Sequence, residues 1–162
     1  MPVTALDRYR ADGDAEAFRE LVNEYQDLVY GTCRRVMGNS SEVDDAVQET
    51  FMKLAEKSSQ IHSNVGAWLH SCARSTSLDL LKSQRATRRR RVPLPDDLPA
   101  MGMETRSGVN EHAAIVDACL EDLPSKDREV VISYFFVDKT QQQIASDLGV
   151  SQVAIKKRLV RA

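Results

Sequence analysis

The stretch from Thr140 to Ala162, TQQQIASDLGVSQVAIKKRLVRA, constrains the fold more than any other part of the chain. Ile144, Ala145 and Leu148 recur at helical spacing on one face, and Gly149 supplies the positive-φ position that stops a first helix. Val150 fills the turn, and Ser151 caps a second helix whose inner face is Val153/Ala154, Ile155 and Leu159. Between these apolar positions stand Gln152, Lys156, Lys157, Arg158 and Arg161. A short helix with aliphatics on one side and Gln, Lys and Arg on the other suits a DNA major groove. Two helices joined by a glycine turn are also an ordinary packed helical hairpin, so the rest of the chain has to decide between the two.

Charge is the next constraint. The chain has 162 residues and a net charge of −2, which hides strong segmentation. Residues 1–60 hold 7 basic and 12 acidic residues, 61–91 hold 7 and 1, 92–138 hold 3 and 10, and 139–162 hold 5 and 1. Two basic blocks separated by acidic ones point to two nucleic-acid contacts on a chain that is not uniformly basic. The acidic blocks call for a different partner or simply form solvated faces.

The periodicity is helical nearly throughout and predicts an all-α protein. Asp14 caps a long helix carrying Phe18, Leu21, Val22, Tyr25, Leu28, Val29, Cys33, Val36 and Met37, ended by Gly38-Asn39. Ser40 or Ser41 caps the next, with Asp44 in capping-box position after Ser41; it buries Val43, Val47, Phe51 and Leu54. Ser58 to Asn64 reads as a polar loop, and a third long helix runs from about Val65 into QRATRRRR. Val92 to Asn110 holds three prolines and two glycines without periodicity, which marks a flexible linker. The domain plan is therefore 1–91, a linker at 92–110, and a smaller helical domain at 111–162, with helices near 111–122, 125–136, 140–148 and 151–162. Cys33, Cys72 and Cys119 are odd in number and widely spaced, and read as buried, reduced thiols. No run approaches a membrane span, and the first residues lack the apolar core of a signal peptide, so the expected location is the cytoplasm.

Taken in order, AFRELVNEYQDLVYGTCRRVMG, DDAVQETFMKL and AWLHSCARSTSLDLLKSQR resemble the core domain of bacterial sigma factors of the extracytoplasmic-function group. LEDLPSKDREVVISYFFVDKTQQQIASDLGVSQVAIKKRLVRA resembles the promoter-binding C-terminal domain of the same group. The resemblance implies a protein that binds the RNA polymerase core and directs it to promoters, helps to melt them, and associates with the nucleoid when polymerase-bound. It also implies an anti-sigma factor as a further partner.

Residue by residue, the resemblance places Asp44, Asp45, Gln48, Glu49 and Phe51 against a coiled coil of the largest polymerase subunit. Short acidic and amide side chains suit a basic helical partner, although Asp44 also serves as a cap and Phe51 as core. The loop after Lys57 matches the segment that receives a flipped base of the −10 element, where Ser59, His62, Ser63 and Asn64 offer polar groups. Arg74 matches a common arginine, while Ser75 stands where the group usually has asparagine. Trp68 sits on the apolar face and reads as core. Lys82, Arg85, Arg88, Arg89, Arg90 and Arg91 are positioned to grip phosphates near the melted region. At the −35 element, Lys156, Lys157, Val160 and Arg161 match base-reading positions, with Gln142, Ser151, Gln152 and Arg158 beside them.

Other classes fit less well. A helix-turn-helix regulator accounts for 140–162 alone, and a sigma-like polymerase-interaction protein without initiation activity has no need of the recognition-helix cations. His62, His70 and His112 show no metal spacing, and there is no phosphate-binding glycine loop or nucleophile–base set. The reading is thus not an enzyme, with no cofactor and no metal.

Overall fold

A computed structural model describes residues 3–62, 64–91 and 111–162. Among these residues the fold is all-α, in the order α1 (Ala5–Asp12), α2 (Ala15–Met37), α3 (Val43–Lys57), a 3₁₀ turn (Ser58–Gln60), α4 (Val65–Arg91), α5 (Glu111–Asp122), α6 (Ser125–Phe135), α7 (Gln141–Leu148) and α8 (Gln152–Arg161). The expected linker at 92–110, with its flexibility, and Ser63 lie outside the described residues.

Local chemistry explains most of the boundaries. Asp14 caps α2 by accepting from the Glu16 N–H, and Gly38 closes it. Thr140 and Gln143 form a reciprocal capping box on α7, Gly149 stops that helix at φ 63°, and the Ser151 hydroxyl accepts from the Ala154 N–H at 3.2 Å. One local expectation is corrected, and one helix is added to those read from the sequence. The α3 N-cap is Glu42, without a side-chain cap; the Ser40 hydroxyl accepts from the Glu42 N–H instead, so the Ser41/Asp44 capping box does not form. The region before α2 is also helical: Thr4 and Asp7 make a capping box and Gly13, at φ 66°, ends α1.

Helices α2, α3 and α4 build the first core around Leu21, Leu28, Val29, Cys33, Phe51, Leu54, Leu69 and Ala73. Trp68 packs against it, as its place in AWL predicts. That cluster continues into the second half of the chain through Leu120 of α5 and Ile132 of α6. Gly66 sits at this junction, where an added Cβ would stand 3.3 Å from the Tyr25 ring and 3.5 Å from Ile132. A second, smaller core joins Val130, Ile144, Ala145 and Ile155, with Leu148, Val150 and Leu159 around it. Helix α6 therefore serves both cores. Cys33 is buried and Cys72 half-buried, but Cys119 is exposed, contrary to the expectation of three buried thiols, because the buried side of α5 is the one carrying Asp117 and Leu120.

Candidate nucleic-acid interfaces

Helix α8 presents its chemistry outward. Ile155 is fully buried against the second core, and Leu159 flanks it. Gln152, Lys156, Lys157 and Val160 are exposed, while Arg158 is half-buried. Val153, expected on the inner face, is 63% exposed. With Ile155 inward, helical geometry turns position 153 about 160° away from the core, while Ala154 beside it is half-buried. Arg161 reaches back to Asp127 in the first turn of α6, with both carboxylate oxygens within 2.6 and 2.8 Å of Nη2. Asp127 is only 3% exposed, so this pair ties the last turn of α8 to α6 and fixes the helix's rotation. Gln142 and Ser151 are exposed at the mouth of the same unit.

The second basic surface is the far end of α4. Lys82, Arg85, Arg88 and Arg89 are all exposed along its last turns, with Arg90 and Arg91 beyond them. Upstream on the same helix Ser75 is exposed and Arg74 half-buried. An open groove of about 1030 Å³ separates this end of α4 from the α2–α3 turn, and Asp45, Arg88 and Arg91 all line it. The structure thus brings one acidic residue assigned to polymerase and two arginines assigned to DNA to a single groove.

The loop before α4 is clamped from both sides. Arg10, at the end of α1, donates from Nε to the Ser58 carbonyl at 2.7 Å and from Nη2 to the Ile61 carbonyl. Sequence reading missed this residue, although the Thr4-x-x-Asp7 cap and Gly13 signal the helix that carries it. Ser59 and His62 are exposed. Asn64 is committed elsewhere. Its Oδ1 accepts from the Ala67 N–H, its backbone N–H points at Glu129 Oε1, and its Nδ2 donates to the Ser133 hydroxyl at 3.4 Å.

On α3, Asp44, Asp45 and Gln48 are exposed, with Met52 (56% exposed) continuing their surface. Glu49 is half-buried and pairs with Lys53 at 2.8 Å, and Lys53 also donates to Thr76 of α4. Phe51 is 8% exposed and belongs to the first core, so it places the helix and offers no contact surface.

A buried polar cluster holds α5 against α2 and α4. Asp117, 1% exposed, accepts from Arg35 Nε at 2.9 Å and Nη2 at 2.8 Å, and its Oδ1 lies 2.9 Å from His70 Nε2. Burial pushes the Asp117 carboxyl up, but the hydrogen bonds and charges of His70 and Arg35 outweigh it and hold the group below its ordinary value. Glu121 accepts from Ser71 and Arg128, and Lys139 bridges Glu24 and Asp147 at 2.8 and 3.0 Å over the Tyr25 ring. Burial raises the Tyr25 hydroxyl to about 12. No group of His, Cys, Asp and Glu among the described residues has the arrangement of a metal site.

Among the described residues, α8 with exposed Lys156 and Lys157, the exposed arginine run at the end of α4 and the acidic face of α3 form three charged surfaces. Comparison gives the family. Sigma-70 region 2 matches residues 21–87 and sigma-70 region 4 matches residues 113–162. The chain is 26% identical over 163 aligned residues to the probable RNA polymerase sigma factor RfaY of Xanthomonas campestris pv. campestris, covering 95% of this chain and 40% of that protein. It is 25% identical to the ECF RNA polymerase sigma factor SigW of Bacillus subtilis, covering 92% and 86% respectively. Among solved structures, CnrH in complex with the cytosolic domain of CnrY is similar at 25% identity and a TM-score of 0.44, over 97% of this chain and 89% of that one. The chain belongs to the sigma factors, in the extracytoplasmic-function group.

Proposed function

We propose that this chain binds the RNA polymerase core and directs promoter-specific initiation, reading the −35 element with α8 and the −10 element with the 57–64 loop and α4. The observation that carries the reading is the pairing, on one chain and in order, of region 2 with an exposed arginine run and region 4 with an exposed Lys156/Lys157 surface on a capped helix. In this division of labour, Asp44, Asp45 and Gln48 steer α3 onto a basic partner helix, with Glu49 at the edge. Lys82, Arg85, Arg88 and Arg89 neutralise phosphates beside the melted segment, giving affinity and steep salt dependence without sequence information. Ser59, His62, Ser63 and Asn64, with Arg74 and Ser75, receive the −10 strand. Lys156, Lys157 and Val160 face base edges, with Gln142, Ser151, Gln152 and Arg158 toward the backbone. Arg161, which the family resemblance matches to a base-reading position, pairs with Asp127 in this conformation, and we assign it the role of aiming α8.

The chain carries no chemistry of its own; catalysis belongs to the polymerase, in the compartment where the polymerase works. An anti-sigma factor is the further partner. Run-off transcription with core polymerase over a genomic promoter library tests the proposal: the expected result is discrete start sites sharing two spaced motifs. Tight promoter binding by the free chain, with no transcripts when core is added, supports a helix-turn-helix regulator instead.

A further inference from the structure

The recognition helix leaves two valines in water. Val153 is 63% exposed and Val160 82% exposed, whereas the aliphatic side chains at 155 and 159 pack inward. An isolated exposed valine is unremarkable on a protein surface. These two are not isolated. Seven residues is close to two helical turns, so they lie on one face, about 20° apart in projection. Lys156 and Lys157, also exposed, fall on the same stripe between them. The Arg161–Asp127 pair and the buried Ile155 fix which way the stripe points. Valine is also a poorer helix former than the alanine, lysine or glutamine that would serve on a merely solvated face.

An apolar–cation–cation–apolar stripe matches the chemistry of a major groove. Lysine donors suit the O6 and N7 acceptors of guanine, and the only apolar group on a base edge there is the 5-methyl of thymine. We infer that Val153 and Val160 are specificity-determining residues of α8, each packing on a thymine 5-methyl group in the −35 element. Their separation along the helix axis is about 10 Å, which corresponds to about three base steps when the helix lies along the groove. The element is then bounded by two thymines, on either strand, that flank guanine-containing pairs facing the lysines. Val153 is new to the reading surface, since its sequence pattern places it in the core.

This inference rests on the proposed promoter reading, and its test separates the two. Holoenzyme is assembled from the full chain and core polymerase, and binding is measured on duplexes of the promoter found by run-off transcription. Each thymine of the −35 element is replaced singly by deoxyuridine, which removes the methyl and keeps the base pair. Two positions about three steps apart lose about fourfold in affinity, the equivalent of one methyl at roughly 0.8 kcal/mol. Val153→Ala removes the sensitivity at one position and Val160→Ala at the other, while Lys156→Ala weakens binding and leaves both sensitivities in place. If initiation proceeds and no deoxyuridine substitution matters, or if the sensitivity survives both alanine variants, methyl reading is wrong and the promoter proposal stands. A chain that supports no initiation with core polymerase overturns both.

Discussion

Replacing Asp117 by Asn should separate the two halves of the molecule. The carboxylate is 1% exposed and receives two hydrogen bonds from Arg35 and one from His70. Hydrogen bonds to a charged group contribute about 1.5–3 kcal/mol each, and removing one partner of a buried ion pair costs about 3–5 kcal/mol. Arg35 is 21% exposed and can turn toward water after the change, which moves the cost to the lower end, about 2–3 kcal/mol. At 1.4 kcal/mol per factor of ten, the equilibrium between packed and separated halves shifts by about 30- to 150-fold. The apolar contacts of Leu120 and Ile132 remain, so the halves loosen without unfolding. A dye pair reads this directly, with one dye on the exposed Cys119 and one on a cysteine placed at the exposed Ser41, after Cys72→Ser. The variant should show a longer mean separation and faster hydrogen exchange along α5. A double-mutant cycle with Arg35→Gln should return a coupling of about 2 kcal/mol. Strict additivity with an unchanged dye distance would refute the claim that this cluster holds the halves together.

Three further outcomes follow from the same geometry. Asp45→Lys with Glu49→Lys should weaken core-polymerase binding by a few kcal/mol with unchanged helicity; the Glu49–Lys53 pair lost in the process contributes only about 0.3–0.5 kcal/mol, so unaltered affinity in a binding titration removes these residues from the interface. Lys156→Ala should cost about 1–3 kcal/mol and relax preference at one promoter position, whereas Arg161→Ala should lower thermal stability of the C-terminal unit by about 1–2 kcal/mol, because it strands the buried Asp127, and weaken all promoters alike; a position-specific effect of Arg161 in a promoter-variant panel would place it among the base readers after all. Because the Asp117 carboxyl is held below its ordinary value in the folded protein, its contribution to packing is complete above the ordinary carboxylate range and is lost as pH falls through the lowered value; the dye separation should therefore lengthen in acid as the carboxyl protonates, and Asp117→Asn should lose that step.

The local half of this structure was legible in the sequence because it is written in short-range chemistry. Periodicity gives α2, α3 and α4, and Gly149 with Ser151 gives the turn between α7 and α8. Signals of the same kind were present for α1, where Thr4, Asp7 and Gly13 bracket one apolar anchor, Leu6, too little for periodicity to register. Val153 shows where periodicity misleads. On a ten-residue helix only Ile155 and its neighbours reach the core, and a valine beside them reads as core by composition alone. The pairings of Arg35 with Asp117, Arg10 with the Ser58 carbonyl and Arg161 with Asp127 span 82, 48 and 34 residues. No local pattern encodes them. They depend on how whole helices pack, and they are also what assigns some cations to structure and leaves others facing outward.

That sorting bears on how two DNA contacts share one chain. Among the described residues, Lys82, Arg85, Lys156 and Lys157 make no ion pair with acidic groups of the opposite half. Asp117 and Glu121 meet Arg35, His70 and Ser71 across the junction, Glu24 meets Lys139 and Glu129 meets the Asn64 N–H, and Arg161 pairs within its own half. What the packing does engage is Asn64, whose amide and backbone N–H are directed at Ser133 and Glu129 of α6. A side chain satisfied in this way has to exchange those partners before it can meet a base. On the proposed promoter reading, engagement of a −10 base by Asn64 and packing of α6 on that residue are alternatives. On that same proposal, a partner that separates the halves would release Asn64 for the −10 strand and α8 for a −35 element at a fixed spacing, converting two weak contacts into one bivalent contact. A partner that strengthens the Asp117 cluster does the reverse. These buried charges add to the apolar contacts of Leu120 and Ile132 in setting the energy that a separating partner has to supply.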